Sequence, residues 1–228
     1  MGFWTLRRTA ALLPARRALR KALPALLFFT DPVRTPEPEA IARTLPRGAA
    51  IVYRPFGAAD ALARARRLKA IARSRGLKLL IGADAALARA AGADGVHLPE
   101  RLAHRAAVLR RAHPSWMVTS AAHSLRAARA SRADAVVLSV AMPSRSASAG
   151  PALGPLRLAA RVRASGKAAY ALGGVNEATA RRLLATGIIG LAAVEGLGAT
   201  ESVGPGLRVP RNRDDTESLE RAPRVSRT

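Results

Sequence analysis

Ala-Arg-Ala-Ala-Gly-Ala-Asp-Gly-Val-His-Leu at residues 88–98 returns at 128–138 as Ala-Arg-Ala-Ser-Arg-Ala-Asp-Ala-Val-Val-Leu. Each copy is the end of a helix that turns through Ala-Asp into a short apolar run, so the repeated unit is one strand and one helix. Working outward in both directions, the same alternation continues. Apolar runs stand at Ala25–Phe29, Ala49–Tyr53, Leu77–Ile81, Gly95–Leu98, Trp116–Thr119, Ala135–Leu138, Ala168–Leu172 and Ile188–Val194. Helical periodicity fills the intervals Pro36–Thr44, Ala58–Arg75, Ala85–Ala91, Arg101–His113, Leu125–Ser131, Leu156–Ser165 and Asn176–Thr186. Gly76, Gly92, Gly166 and Gly187 supply stop signals before the next strand. Eight strands separated by helices predict a (β/α)8 TIM barrel, at the small end of its usual size, over residues 25–200. A doubly wound open sheet would want a Gly-rich dinucleotide loop after an early strand, and the sequence has none.

The chain has 228 residues, enough for one large α/β domain. It has no cysteine, which excludes a disulfide scaffold, a Cys-ligated metal and a Cys nucleophile. Its 38 Lys+Arg stand against 15 Asp+Glu, a net charge of +23. That balance invites a polyanion partner. The excess is spread, however: 26 basic and 11 acidic residues fall between residues 31 and 204, and the lysines are Lys21, Lys69, Lys78 and Lys167 alone. Eight aromatics are also few for stacking single-stranded bases along a basic groove. Residues 1–24 read as a basic extension, an amphipathic or targeting-like stretch with no apolar core long enough for a signal peptide. Residues 201–228, with Pro205, Gly206, Pro210 and mixed charges, read as a disordered tail. No segment approaches the roughly 20 apolar residues of a membrane span, and a cytoplasmic location is expected.

In a barrel of this kind the chemistry sits at the C-terminal ends of the strands. Those ends carry Thr30-Asp31, Arg54, Gly82-Ala83-Asp84, His97, Ser120 to His123, Ser139 to Ser148, Gly173-Gly174 and Glu195-Gly196. The loops after strands seven and eight are the common phosphate seat, where glycines let backbone N–H groups approach an anion. Gly173, Gly174, Glu195 and Gly196 have that layout; plain turns are the alternative. Arg54, an arginine at the end of a buried strand, is either an anion contact or part of an ion pair. His97 either touches a ligand or hydrogen-bonds a neighbour, and His123 either lines the site or caps a helix. Ser144 and Ser146 are either phosphate donors or ordinary loop hydroxyls.

Over about residues 25–198 the chain resembles the thiamine phosphate synthase and thiazole tautomerase family. The resemblance rests on Phe29-Thr30-Asp31, Ala91-Gly92-Ala93-Asp94-Gly95-Val96-His97-Leu98, Ala122-His123-Ser124, Pro143-Ser144-Arg145-Ser146, Leu153-Gly154-Pro155-Leu156, Ala171-Leu172-Gly173-Gly174-Val175 and Gly190-Leu191-Ala192-Ala193-Val194. It implies a TIM barrel and, in the synthase branch, a Mg2+-dependent transfer. That transfer joins hydroxymethylpyrimidine pyrophosphate to thiazole phosphate with loss of pyrophosphate. The family's Gln-x-Arg-x-Lys reads Val52-Tyr53-Arg54-Pro55-Phe56, keeping the arginine. Its metal-holding Asp after strand three falls on Ala83, with Asp84 one place late as the substitute ligand. The second metal carboxylate falls near Leu102, with Glu100 the nearest acid. The Ser before Ala-His matches Ala121, with Ser120 adjacent. The pyrophosphate motif Thr-x-Thr-Lys reads Ser144-Arg145-Ser146-Ala147, where Arg145 offers a cation. The tautomerase branch's His after strand six aligns with Val140.

Three functional readings follow. In the first, the chain is a divergent thiamine phosphate synthase: Arg54, Ser144, Arg145 and Ser146 hold pyrophosphate, and Gly173, Gly174 and Gly196 seat the thiazole phosphate. In the second, it binds thiazole phosphate or thiamine phosphate without transferase chemistry. The third, a basic polyanion-binding protein, ranks last. The expected partner is therefore a phosphorylated small molecule rather than nucleic acid.

Overall fold

An apolar run of four or five residues with no polar alternation suits a strand covered on both faces, by a filled interior on one side and a helix layer on the other. The computed structural model describes residues 9–10, 22–144 and 150–195, and the runs take that place. The strands are β1 (Leu26–Phe29), β2 (Ala50–Tyr53), β3 (Lys78–Gly82), β4 (Gly95–Leu98), β5 (Met117–Ala122), β6 (Ala135–Leu138), β7 (Ala169–Leu172) and β8 (Gly190–Ala193). They pair in parallel and in sequence order, and β8 returns to β1 with Leu26 beside Leu191 and Phe28 beside Ala193. The chain is a (β/α)8 barrel. Helices α1 (Pro38–Thr44), α2 (Ala61–Arg75), α3 (Ala85–Ala90), α4 (Ala106–Ala112), α5 (Leu125–Ala130), α6 (Gly154–Ser165) and α7 (Glu177–Ala180) lie between strands.

Two helical intervals differ from expectation. A 3-10 segment, Glu100–Arg105, leads into α4, and another, Arg181–Thr186, continues α7. Such tighter turns are frequent at helix ends. Strand β5 also runs on to Ala122, because Ser120, Ala121 and Ala122 pair with Val136, Val137 and Leu138. The predicted tail and most of the basic extension lie outside the described residues.

The repeated Ala-Asp has a physical cause. Asp94 accepts the N–H of Leu79 on β3 at 2.8 Å and pairs with Lys69 of α2 at 2.7 Å. Asp134 does the same two units later, taking the N–H of Val118 on β5 at 2.8 Å and Arg110 of α4 at 2.8 Å. Each aspartate thus ties the base of one strand to the neighbouring strand and to a helix outside. The next residue differs between the copies for a steric reason. A Cβ on Gly95 would sit 1.9 Å from the Met117 carbonyl oxygen, so this copy needs glycine where the other has Ala135.

Strand alternation sorts the core into two layers. Leu26, Phe28, Ile51, Leu79, Ile81, Val96, Val118 and Leu191 face the helices. Leu27, Phe29, Val52, Leu80, Met117, Val137, Tyr170 and Ala192 form the second cluster, inside the barrel. Tyr170 closes the lower end: its hydroxyl donates to the Pro24 carbonyl at 2.7 Å, and burial pushes its pKa far above the usual phenol range. The upper end of the interior is where the polar residues collect. No helix among the described residues is long and apolar enough to cross a membrane.

Candidate active site

The mouth is organised by the loop after β1. Asp31 accepts the backbone N–H groups of Val33 and Arg34 on Oδ1, at 3.1 and 3.0 Å. Thr35 closes the turn, its Oγ1 taking the Asp31 N–H and donating to the Asp31 carbonyl. This is the turn chemistry of an Asp that bonds the backbone two and three residues ahead. Its consequence is that Asp31 Oδ2 receives two guanidinium groups, Arg34 at 3.1 Å and Arg54 at 3.3 Å. Burial works to raise the Asp31 pKa, but the hydrogen bonds from Arg34 and Val33 and the Arg34 charge outweigh it and hold the carboxyl below its ordinary value.

Arg54 stands two positions beyond Val52 and so continues the inward-facing set of β2. Its N–H donates to Thr30 Oγ1 at 2.9 Å and its Nε to the Thr30 carbonyl at 2.7 Å. Phe29 and Phe56 flank its guanidinium, with centroids 5.7 and 5.0 Å away. Burial lowers its pKa and Asp31 opposes that shift; an arginine keeps its charge through such changes. Arg54 is therefore both an ion-pair member and a cation lining a cavity.

His97, at the end of β4, is buried with its Nδ1 sharing a 2.9 Å hydrogen bond with Thr119 Oγ1. Phe29 packs edge-on at 4.9 Å. Burial first, and the Arg54 charge second, drop its pKa to about 3, so the imidazole is neutral at physiological pH. His123 and Ser139 meet at 3.0 Å and both line the mouth. Ser120 does not join them: its hydroxyl shares a 2.8 Å bond with Ser131 at the end of α5, in the helix layer. Ser124, not His123, caps α5.

Asp84 N-caps α3, its Oδ1 accepting the Leu87 N–H at 2.8 Å. Ala83, where the resemblance places a metal carboxylate, brings none; it holds φ +64° and donates its N–H to the His97 carbonyl. Glu100 accepts the His123 N–H. The described residues contain no group of three or more His, Asp or Glu side chains arranged to hold a metal ion. With no carboxylate at Ala83, Asp84 engaged in its cap and Glu100 on the His123 N–H, the donor set does not fit the Mg2+ that the resemblance implies.

Two adjoining hollows open at the mouth. One, of about 530 Å3, is lined by Arg34, Arg54, His123, Ser139 and Ser144 with Gly173 at its edge. The other, of about 460 Å3, lies over Gly173, Gly174 and Asn176, with Arg34, Ser144 and Glu195 around it. The two glycines have a structural duty as well. A Cβ on Gly174, at φ +64°, would lie 2.3 Å from the Pro143 carbonyl oxygen, because the segment after β6 folds down onto β7. Arg145, Ser146 and Gly196 lie outside the described residues. Of the predicted site, then, Arg54, His123, Ser144, Gly173, Gly174 and Glu195 come together, with His97 beneath Arg54. Thr119 and Arg34 complete the group without having been singled out in the sequence. The signal for Arg34 was its spacing, three residues after Asp31 at a strand end.

The family model for thiamine monophosphate synthase matches residues 26–197. The thiamine-phosphate synthase of Chromobacterium violaceum is 32% identical over 140 residues, 60% of this chain and 67% of that protein. Among solved structures, a thiamine phosphate pyrophosphorylase from Pyrococcus furiosus superposes with a TM-score of 0.63 at 24% identity, covering 75% of this chain and 85% of that one. A glycerol uptake operon antiterminator regulatory protein from Listeria monocytogenes reaches a TM-score of 0.52 at 13% identity over 75% and 92% of the two chains. The two structural likenesses carry the barrel fold alone. The family match spans nearly the whole of the barrel, from β1 to just past β8, and on that ground the chain belongs to the thiamine monophosphate synthase family.

Proposed function

We propose that the barrel does thiamine phosphate synthase-like work, seating a phosphorylated thiazole at its mouth and presenting it to hydroxymethylpyrimidine pyrophosphate. The observation that carries this reading is the cation pair Arg34 and Arg54 facing hollows floored by Gly173 and Gly174, within the span matched by the family. Guanidinium groups bind phosphate oxygens through charge-assisted, often forked hydrogen bonds. Departure of pyrophosphate from the pyrimidine develops negative charge, which cations held in a partly dry site stabilise without reorganising. Arg54 is so held, by Thr30, Asp31 and the two phenyl rings. His97, neutral and beneath it, offers a hydrogen bond without adding charge. The Mg2+ dependence of the family is an expectation that the described carboxylates do not meet.

A second reading, binding of thiazole phosphate or thiamine phosphate without transfer, is favoured by Ala83 and by the commitment of Asp84 to its cap. One experiment separates the two. Purified protein is given both synthase substrates with Mg2+ and assayed for thiamine phosphate, while calorimetry measures thiazole phosphate alone. Product that falls at least about tenfold in Arg54→Ala, the loss of one preorganised cation, supports the transferase. Binding without product supports the second reading, and neither binding nor product overturns both.

A further inference from the structure

Arg34 is the side chain common to both hollows that carries a positive charge, and among the described residues it is the one cation lining the glycine-floored hollow. Its backbone and one guanidinium nitrogen are fixed on Asp31. Its Nε faces Glu195, the acid at the end of β8, at 3.7 Å, which is an ion-pair distance but too long for a hydrogen bond. Glu195 is half exposed, so water can take over its solvation if it leaves. A phosphate entering the glycine-floored hollow meets this carboxylate, which has acceptors only and repels it, beside a guanidinium whose donors it needs.

We propose that Arg34 is a second anion-binding residue of the site and that Glu195 is its internal competitor, a carboxylate standing where a ligand phosphate group binds. The phosphate exchanges places with Glu195: it takes the outward edge of the Arg34 guanidinium, the Asp31 contact is kept, and Glu195 turns to solvent. Glu195 thereby sets a threshold. Strong, doubly charged phosphate groups displace it, whereas singly charged carboxylates do not. This assignment rests on the functional reading for the identity of its ligand, though not for the class of group bound.

The test is calorimetry of thiazole phosphate, inorganic pyrophosphate and the unphosphorylated thiazole alcohol with wild type, Arg34→Ala, Glu195→Gln and the double variant, all checked for unchanged melting. Arg34→Ala should weaken both phosphorylated probes at least about tenfold, as expected for loss of one charge-assisted contact. Glu195→Gln should tighten them about threefold or more and leave the alcohol unmoved. In the double variant the gain from Glu195→Gln should disappear, since the two side chains act on each other. An equal gain with and without Arg34 overturns the proposal, because it marks a diffuse charge effect. So does thiazole phosphate binding that ignores both changes, although the functional reading then stands. Pyrophosphate binding with the expected pattern and no thiazole phosphate binding supports the proposal and overturns that reading. Binding of neither probe overturns both. Should Arg34→Ala melt early, Arg34→Lys and Glu195→Gln carry the test, with Arg34→Lys expected to retain part of the affinity.

Discussion

His97 shows how much chemistry one position can inherit from its surroundings. Alternation on β4 buries it inside the barrel, which disfavours its charged form; Arg54 above it adds to that effect, and Thr119 supplies its partner. Its pKa of about 3 lies below the roughly 6.5 of a free histidine. Between those values the unfolded chain takes up a proton that the folded chain refuses, so stability rises with pH across that window and is fully present above it. Acidifying from pH 6.5 should cost up to about 1.4 kcal/mol per pH unit from this group. Denaturant titrations at pH 7, 5.5 and 4.5 should show the loss in wild type and a shallower one in His97→Gln; parallel losses would assign the acid sensitivity elsewhere. The histidine itself was legible as a strand end. Thr119 was not, because a lone hydroxyl inside an apolar run carries no mark of what it faces. Asp84 misled for a related reason: an aspartate opening a helix has the same letters whether it caps or coordinates. Arg34 was hidden by composition, since one arginine in a chain this rich in them looks like solvated surface.

At the level of elements, the alternation of strands and helices was readable, because each strand is largely apolar and several helices end on a glycine, although β5 runs three residues past its apolar run. The Ala-Asp repeat marked the unit, and its cause, a carboxylate tying adjacent strands, emerged only from their register. What no sequence pattern displayed is the segment after β6. Ala141 and Met142 donate backbone hydrogen bonds to Leu172 and Gly173, which draws the segment over the glycines. Gly174 is therefore required by the protein itself, whatever ligand approaches from the other side. Gly174→Ala should lose at least about 2 kcal/mol without any ligand, from its left-handed backbone and the overlap with Pro143. Thermal or urea unfolding of the unliganded variant checks this. Unchanged stability would mean that the Pro143 segment moves aside freely, and would return the two glycines to a purely ligand-facing role.

For the molecule as a whole, the charge makes a prediction opposite to the usual one for a protein with many ion pairs. Arg34, Arg54, Arg64, Arg67, Lys69 and Arg110 are paired with acids among the described residues. With 38 basic side chains against 15 acidic ones, most of the positive charge over the chain has no acid to meet. Between residues 31 and 204 alone, 26 basic residues stand against 11 acidic ones, and that excess repels itself and favours expansion. Salt screens repulsion and attraction alike, the Debye length falling from about 30 Å at 0.01 M to about 10 Å at 0.1 M. Because repulsive pairs outnumber attractive ones and act over longer distances, screening should relieve more than it removes. Melting in 10 mM and 150 mM sodium chloride should therefore show a higher Tm at the higher salt. Each 1 kcal/mol relieved corresponds to about 2–4 °C for a domain of this size. A lower Tm would mean that the few ion pairs around Asp31, Asp94 and Asp134 outweigh the diffuse field. The same comparison bears on the polyanion reading, because a surface evolved to bind a polyanion concentrates its charge. The repulsion in such a protein is local, and its melting responds far more to the polyanion than to chloride.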